Sequence, residues 1–291
     1  MNVEVVYLDG EFVPAREALV PALGEGVTLG MGLFETMRAR KGRVLRLSAH
    51  AARLRDSARA LGIPCSLSDA QVASIVAELT SANQLDDARV RLTVLARGDQ
   101  QSDVFCRAIP LGPDEIEPPP VDCAILDEGT APPAALARHK TINRLAYTLA
   151  KRAAQEAGAD EALLVNARGQ VTEATSRNLF VVRDGVLATP SLECGVLPGI
   201  TRGVVLEIAR RDRITCAENP LTPDDVRSAD ECFITSAIVG VLPVRSVDGR
   251  VLPGGAPGPV TSRLMAAYRQ LAARGWSFTS LGDPRPRRGT P

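Results

Sequence analysis

Arg138-His139-Lys140-Thr141-Ile142-Asn143-Arg144-Leu145 holds one of only three lysines in a chain with 34 basic residues. The other two are Lys41, in the turn Arg40-Lys41-Gly42-Arg43, and Lys151, in the middle of an expected helix, where a solvated charge needs no further reason. Arginine serves on a surface as well as lysine does, but its very high pKa bars it from acting as an imine-forming amine. Lys140 stands where a loop gives way to an expected helix over 143–157, closed by Gly158. A side chain at such a boundary can be held at a cleft, and burial beside Arg138 or Arg144 lowers its pKa toward the neutral amine.

Upstream of this stretch lies Pro113-Asp114-Glu115-Ile116-Glu117-Pro118-Pro119-Pro120, polar and proline-rich, which suits an extended linker and no regular element. It divides the chain into a unit over 1–112 and a larger one over 121–282, with a Pro/Arg/Gly-rich tail over 283–291 expected to be disordered. The first unit reads as a hairpin around Asp9-Gly10, strands over 33–39, 44–47 and 88–96, and helices over 48–61, capped by Ser48 and closed by Gly62 and Pro64, and 68–83. The second reads as a strand over 121–127, the helix after Lys140, and a meander of short strands from 161 to 189 with Gly turns. Helices over 201–211 and 259–275 complete it.

Composition narrows the function. Acidic and basic residues balance at 34 each, so no net field favours nucleic acid or an anionic membrane, and a small-molecule substrate is the default. The six cysteines are widely spaced, with no C-x-x-C pair and two histidines, so they read as reduced core residues and no metal site is expected. No run is apolar enough to span a membrane and the acidic start is unlike a signal peptide, which makes a cytoplasmic protein the expectation.

Three further segments bear on Lys140. Glu173, in Val171-Thr172-Glu173-Ala174-Thr175-Ser176-Arg177-Asn178, offers a carboxylate, although a turn acid paired with Arg177 is the plainer reading. Leu197-Pro198-Gly199-Ile200-Thr201-Arg202 runs straight into an apolar-periodic helix. Gly199 permits close backbone approach there, and the free N–H groups and dipole of the helix start favour a dianion. Arg53 adds a fixed cation whose fork matches phosphate. An amine, a carboxylate and a phosphate cradle are what pyridoxal 5′-phosphate (PLP) requires of a protein.

In this order the segments resemble the fold-type IV PLP enzymes, which include branched-chain and D-amino acid aminotransferases and 4-amino-4-deoxychorismate lyases. The resemblance spans about 8–248. It rests on Gly32-Leu33-Phe34-Glu35-Thr36-Met37-Arg38, His50-x-x-Arg53-Leu54, Lys140-x-x-Asn143, Gly169-x-Val171-x-Glu173 followed by Asn178-Leu179-Phe180, Gly199-Ile200-Thr201-Arg202, and Ala229-Asp230-Glu231 running to Pro243-Val244. It implies an α+β fold with a small N-terminal α/β sandwich, a larger C-terminal pseudo-barrel, and homodimers that share active-site loops. It also implies that Lys140 forms the imine, that Glu173 meets the pyridine nitrogen, and that Arg53, Ile200 and Thr201 hold the phosphate. A further phosphate contact falls to Thr235-Ser236-Ala237; the family often has a hydroxyl at the position of Ala237, so Ser236 or a backbone N–H takes over.

For the reaction, Thr36 stands where branched-chain enzymes resemble one another in carrying Gly, and Leu145 where they usually carry a Tyr touching the cofactor; the lyases have Thr at the first, the lyases and D-amino acid enzymes both have Leu at the second, and Asn143-Arg144-Leu145 with Ala159-Asp160-Glu161-Ala162-Leu163 looks most like the lyases. The leading expectation is therefore aminodeoxychorismate lyase, giving 4-aminobenzoate and pyruvate on the folate route. In that reading Lys140 is the proton-transfer base, Thr36 hydrogen-bonds substrate or relays a proton, Phe34 borders the substrate, and Arg97 binds a substrate carboxylate. The alternative is a class IV aminotransferase of D- or branched-chain amino acids; a PLP-binding protein without turnover is the remaining reading.

Overall fold

The computed structural model describes residues 4–98 and 100–277. In the N-terminal part, strands β1 (Val5–Leu8), β2 (Glu11–Pro14), β3 (Gly32–Arg40), β4 (Arg43–Val44), β5 (Asp87–Gly98) and β6 (Gln101–Pro110) form an antiparallel sheet in the order β2-β1-β6-β5-β3-β4. A single turn, α1 (Glu25–Thr28), precedes β3, and helices α2 (Leu47–Leu61) and α3 (Asp69–Ala82) follow β4. Because side chains alternate along a strand, Leu33, Met37, Val90, Leu92 and Val94 point to α2 and α3, where they bury against Leu54, Val72 and Val76. The alternate residues Phe34, Thr36 and Arg38 share the other face with Thr93, Arg91 and Arg89, which lie directly opposite them in register. One sheet thus has a dry face and a chemically equipped one.

Helix α3 starts on a capping box, where the Ser68 hydroxyl accepts from the Gln71 N–H and the Gln71 side chain accepts from the Ser68 N–H. Gly62, at φ 68°, closes α2 as expected. The start of α2 differs from expectation: Arg46, at φ 57°, turns the chain left-handed, so the strand expected over 44–47 shrinks to β4 and Ser48 is no cap. Strand β6 was not foreseen, because Arg107 and Asp103 interrupt the apolar alternation; they pair with Glu4 and Arg97. The segment expected to hold no regular element begins with one helical turn, α4 (Pro113–Ile116).

Beyond it come β7 (Val121–Glu128), α5 (Ala134–Ala137), α6 (Leu145–Glu156), β8 (Glu161–Val165), β9 (Val171–Ala174), β10 (Asn178–Arg183) and β11 (Val186–Thr189). Next are α7 (Ile200–Arg211), β12 (Cys216–Glu218), α8 (Pro223–Arg227), β13 (Glu231–Ser236), β14 (Gly240–Val247), β15 (Arg250–Val251) and α9 (Pro259–Ser277). The tail expected at 283–291 lies outside the described residues. The strands form a nine-stranded sheet in which β9 pairs with β8 and also with β10, through Glu173 and Asn178. That second pairing closes the path β10-β13-β14-β7-β8-β9 into a pseudo-barrel, so the fold is α+β. Leu163, Leu179, Val181, Ile234 and Val244 fill its interior. On its outer surface Phe180 and Phe233, stacked at 4.9 Å, lie under α7 and α9, while Tyr147, Ala150 and Ala154 of α6 cover Ala162 and Leu164.

A buried carboxylate joins this barrel to its last helix. Glu231, at the start of β13, accepts from the Val260 and Thr261 N–H groups at 2.9 and 2.7 Å, satisfying the first turn of α9. Glu231→Ala removes two charge-assisted hydrogen bonds and leaves one buried and one part-buried donor, an expected loss of about 2–4 kcal/mol. A lower urea midpoint at unchanged m-value is the measurement; an unaltered midpoint refutes the role.

Candidate active site

A cavity of about 540 Å³ opens between the equipped face of the small sheet and the barrel. Lys140 enters it because its backbone is fixed to the small sheet. The Phe34 N–H donates to the Lys140 carbonyl at 2.9 Å, the Ile142 N–H donates to the Gly32 carbonyl at 3.0 Å, and Leu33 bridges Thr141, so this loop extends the free side of β3. The Lys140 Nζ lies 4.7 Å from the centre of the Phe34 ring. Burial, and the charge of Arg53 next to it, lower the Lys140 pKa to about 8, with Glu35 and Glu173 opposing. The lysine is therefore a usable nucleophile and base near neutral pH.

Glu173 sits at the barrel's closure. Its carboxylate accepts from Asn178 Nδ2 at 3.0 Å and from the Leu197 N–H at 3.1 Å. Burial raises its pKa to about 7, against the Leu197 hydrogen bond and the charges of Lys140, Arg144 and Arg53. The turn acid paired with Arg177 is not Glu173: Arg177 bonds Glu161 at 2.6 Å. A cationic ring nitrogen brought to this carboxylate restores its ionised form.

Arg53 reaches the cavity from α2, and its direction is set by Glu35. The guanidinium makes two bonds to the Glu35 carboxylate, at 2.8 and 2.6 Å, and a third to the Pro198 carbonyl at 2.9 Å, while His50 Nδ1 lies 2.7 Å from Glu35 Oε2. Although burial alone works against ionisation, Arg53 and the hydrogen bond of His50 hold the Glu35 pKa down at about 2. Sequence reasoning assigned Glu35 nothing. The available signal was an acid at an inward position of an otherwise apolar strand, with a His and an Arg on the next helix to pair with it.

Across the cavity, α7 begins at Gly199 without a side-chain cap. A Cβ on Gly199 would run into the Asn178 amide, so the close approach that brings this helix start to the barrel needs glycine. Ile200 and Thr201 line the cavity. Ser236 and Ala237 line it from the end of β13; Ala237 brings no hydroxyl. The neighbouring Thr235 hydroxyl is buried with no partner among the described residues, an orphan that an anion's oxygen can satisfy. An amine, an uncapped helix start, a fixed arginine and an unpaired hydroxyl around one cavity, with a buried carboxylate bonded to Asn178 and Leu197 of its wall, fit PLP.

Phe34 and Thr36 line the same cavity, as do Arg91 and Arg144, which sequence reasoning did not assign to the substrate. The Arg91 guanidinium rests 3.8 Å from the Phe34 ring centre, and Arg144 stacks at 3.5 Å on Tyr147. Among the described residues neither has a carboxylate partner. Arg97, the expected carboxylate ligand, is not brought to the cavity: it lies in the bulge between Ala96 and Gly98, bonded to Asp103 and, at 3.3 Å, to Asp9. Leu145 is 71% exposed on the outside of α6 and touches no part of the site, so the choice of Leu there carries no information about the reaction.

Relatives agree on a different reaction from the lyase. The chain is 34% identical over 276 residues to the D-alanine aminotransferase of Bacillus licheniformis, covering 91% of this chain and 95% of that one. It is 32% identical over 289 residues to the branched-chain-amino-acid aminotransferase of Pseudomonas aeruginosa, covering 92% and 93%. The crystal structure of the branched-chain aminotransferase from Thermoproteus uzoniensis with norvaline superposes with a TM-score of 0.85 at 32% identity, covering 93% and 95%. These full-length matches to aminotransferases overturn the aminodeoxychorismate lyase expectation, which rested on Thr36, Leu145 and the stretches 143–145 and 159–163. Residues 32–247 match the family Amino-transferase class IV, so the chain belongs to that family of PLP-dependent aminotransferases.

Proposed function

We propose that the protein is a branched-chain amino acid aminotransferase, a cytoplasmic homodimer that passes an amino group from an apolar amino acid to a 2-oxo acid. The observation that carries this reading is the wall of the cavity beside Lys140: Phe34, Leu197, Ile238 and Val239 offer an apolar side chain its place, and Arg91 and Arg144 offer its carboxylate two cations. Bound PLP supplies the aldehyde that takes up the amino group and a ring that withdraws electrons. Lys140 holds the cofactor covalently and moves the proton at the substrate carbon. Glu173 sets the charge at the ring nitrogen, while Arg53, Ile200, Thr201, Thr235 and Ser236 hold the phosphate. Thr36, two residues along the strand from Phe34, narrows the pocket.

Glutamate formed from 2-oxoglutarate in the presence of L-leucine, L-isoleucine or L-valine is the expected result, with D-alanine at least tenfold slower. The D-alanine aminotransferase relative gives the second reading its weight, and a D-alanine rate above all three L-amino acids would establish it instead. The Lys140 pKa sets a second expectation. A lysine lowered to about 8 becomes neutral as pH rises through that value, so uptake of PLP by the cofactor-free protein accelerates from pH 7 to 9 and then levels off. Stopped-flow absorbance follows this, and Lys140→Arg retains no PLP through dialysis.

The dimer draws support from two apolar groups left in water. Leu19, Leu23 and Leu29 before β3, and Leu145 and Leu149 on α6, are exposed, and Asn143 links the two regions by donating to the Gly30 carbonyl at 3.0 Å. Leu145→Glu with Leu149→Glu is expected to convert a sedimenting dimer into monomers; a dimer that persists places the interface elsewhere.

A further inference from the structure

Ser57 is buried in the interior of α2, beside Ala58 and on the same helix as the buried Ala51 and Leu54. A serine there gains nothing in helix propensity and costs free energy unless its hydroxyl is bonded, whereas alanine meets both demands. The hydroxyl has a partner: Ser57 Oγ lies 3.0 Å from Nδ1 of His139, the residue before Lys140.

Positions 50, 53 and 57 fall on one face of α2. On that face His50 and Arg53 meet Glu35, Arg53 also reaches the Pro198 carbonyl just ahead of α7, and Ser57 reaches His139. One helix thus touches both the loop that opens the anion cradle and the loop that carries the lysine. The two residues that do so are one turn, roughly 6 Å, apart. Downstream of Lys140 the loop is bonded to β3 through the Lys140 carbonyl and the Ile142 N–H. Upstream, the His139 N–H donates to the Leu136 carbonyl at 3.0 Å within the short turn of α5, and it is the His139 side chain that ties this part to the small unit.

We propose that His139 is a positioning residue: held by Ser57, it sets the point from which the Lys140 side chain reaches the cofactor's aldehyde, at a spacing from the phosphate that α2 fixes. Neither His139 nor Ser57 lines the cavity, so the pair acts through the backbone of Lys140. PLP carries its aldehyde and its phosphate arm on neighbouring ring carbons. A small drift of the lysine relative to Arg53 therefore takes Nζ off the aldehyde while the phosphate stays bound, and misplacement by about 1 Å is costly to a reacting pair. The inference rests on the reading of Lys140 as the PLP lysine and is indifferent to which amino acid the enzyme takes.

Covalent capture and phosphate binding can be read apart. Pyridoxine 5′-phosphate has the ring and phosphate of PLP but an alcohol in place of the aldehyde, so it fills the site without bonding to Lys140. In stopped-flow absorbance His139→Leu is expected to capture PLP about tenfold more slowly, with an affinity for pyridoxine 5′-phosphate within about twofold of wild type. Ser57→Ala acts in the same direction, and the double variant is no slower than the slower single one. His139→Asn, whose amide keeps a polar group near the place of Nδ1, recovers most of the rate. Unaltered capture in His139→Leu, additive losses in the double variant, or equal losses of capture rate and pyridoxine 5′-phosphate affinity overturn the proposal. Ser57→Ala and His139→Asn supply the comparison should Leu unfold the loop. If wild type captures no PLP, the reading of Lys140 falls and takes the proposal with it; if it captures PLP yet transfers no amino group, the brace stands and the assigned reaction falls.

Discussion

The pairing of Asn178 with Glu173 is the contact on which the remainder of the site depends. As backbone it is the register that joins β9 to β10 and closes the barrel. As side chains it fixes the buried carboxylate, because Asn178 Nδ2 donates to Glu173 and also, at 2.9 Å, to the Leu197 carbonyl. Leu197 leads directly into Gly199 and the start of α7. One amide thereby ties together the strand closure, the carboxylate and the anion-binding helix, and a Cβ at Gly199 would collide with it. Leaving Glu173 without these donors would bury a carboxyl group with no compensation, so folding of the barrel and construction of the site are the same event.

Around this closure the buried charges regulate one another. Burial and then the charge of Arg53 lower the Lys140 pKa, and Glu35 meets the Arg53 guanidinium with two oxygens. Glu35 is on the dry face of the small sheet, among Leu33, Met37 and the residues of α2, where an unpaired acid would be untenable. The pair is thus a structural necessity for the small sheet and the source of a fixed positive charge at the cavity. Its His50 neighbour completes the carboxylate's hydrogen bonds from the same helix.

Much of this was legible in the sequence wherever a local rule carries it. The capping box of α3, the Gly62 stop and the glycine-led start of α7 follow from backbone chemistry a few residues long. Lys140, Glu173, Arg53 and the 199–201 segment stood out because their residue types suit one cofactor, and the fold brings Lys140, Arg53 and that helix start to one cavity. What failed was whatever depends on which face of an element looks inward. Arg97 and Arg91 lie on one strand and look equally suitable, yet the bulge after Ala96 and the pairing of Thr36 with Arg91 decide which meets the cavity. Leu145 was read as a cofactor neighbour by position, whereas the rotation of α6 turns it outward and turns Tyr147 in. Register and helix phase are long-range properties, and a single sequence states them only through patterning that charged residues interrupt.

The two sheets contribute unequal things to the reaction. The barrel and the start of α7 present groups that any amino acid substrate would need: a carboxylate, an anion cradle and an unpaired hydroxyl. The small sheet presents Phe34, Thr36, Arg89 and Arg91 in adjacent register positions on one flat face, where an exchange of side chain alters neither the sheet's hydrogen bonds nor the core behind it. Only Lys140 belongs to both, since its loop leads into the helix that covers the barrel while its carbonyl is bonded to Phe34. This arrangement lets substrate preference change on the sheet without disturbing the chemistry on the barrel. Two of the residues used to choose the reaction sit apart from the catalytic segments, Thr36 on the flat face of the small sheet and Leu145 on the outside of a helix.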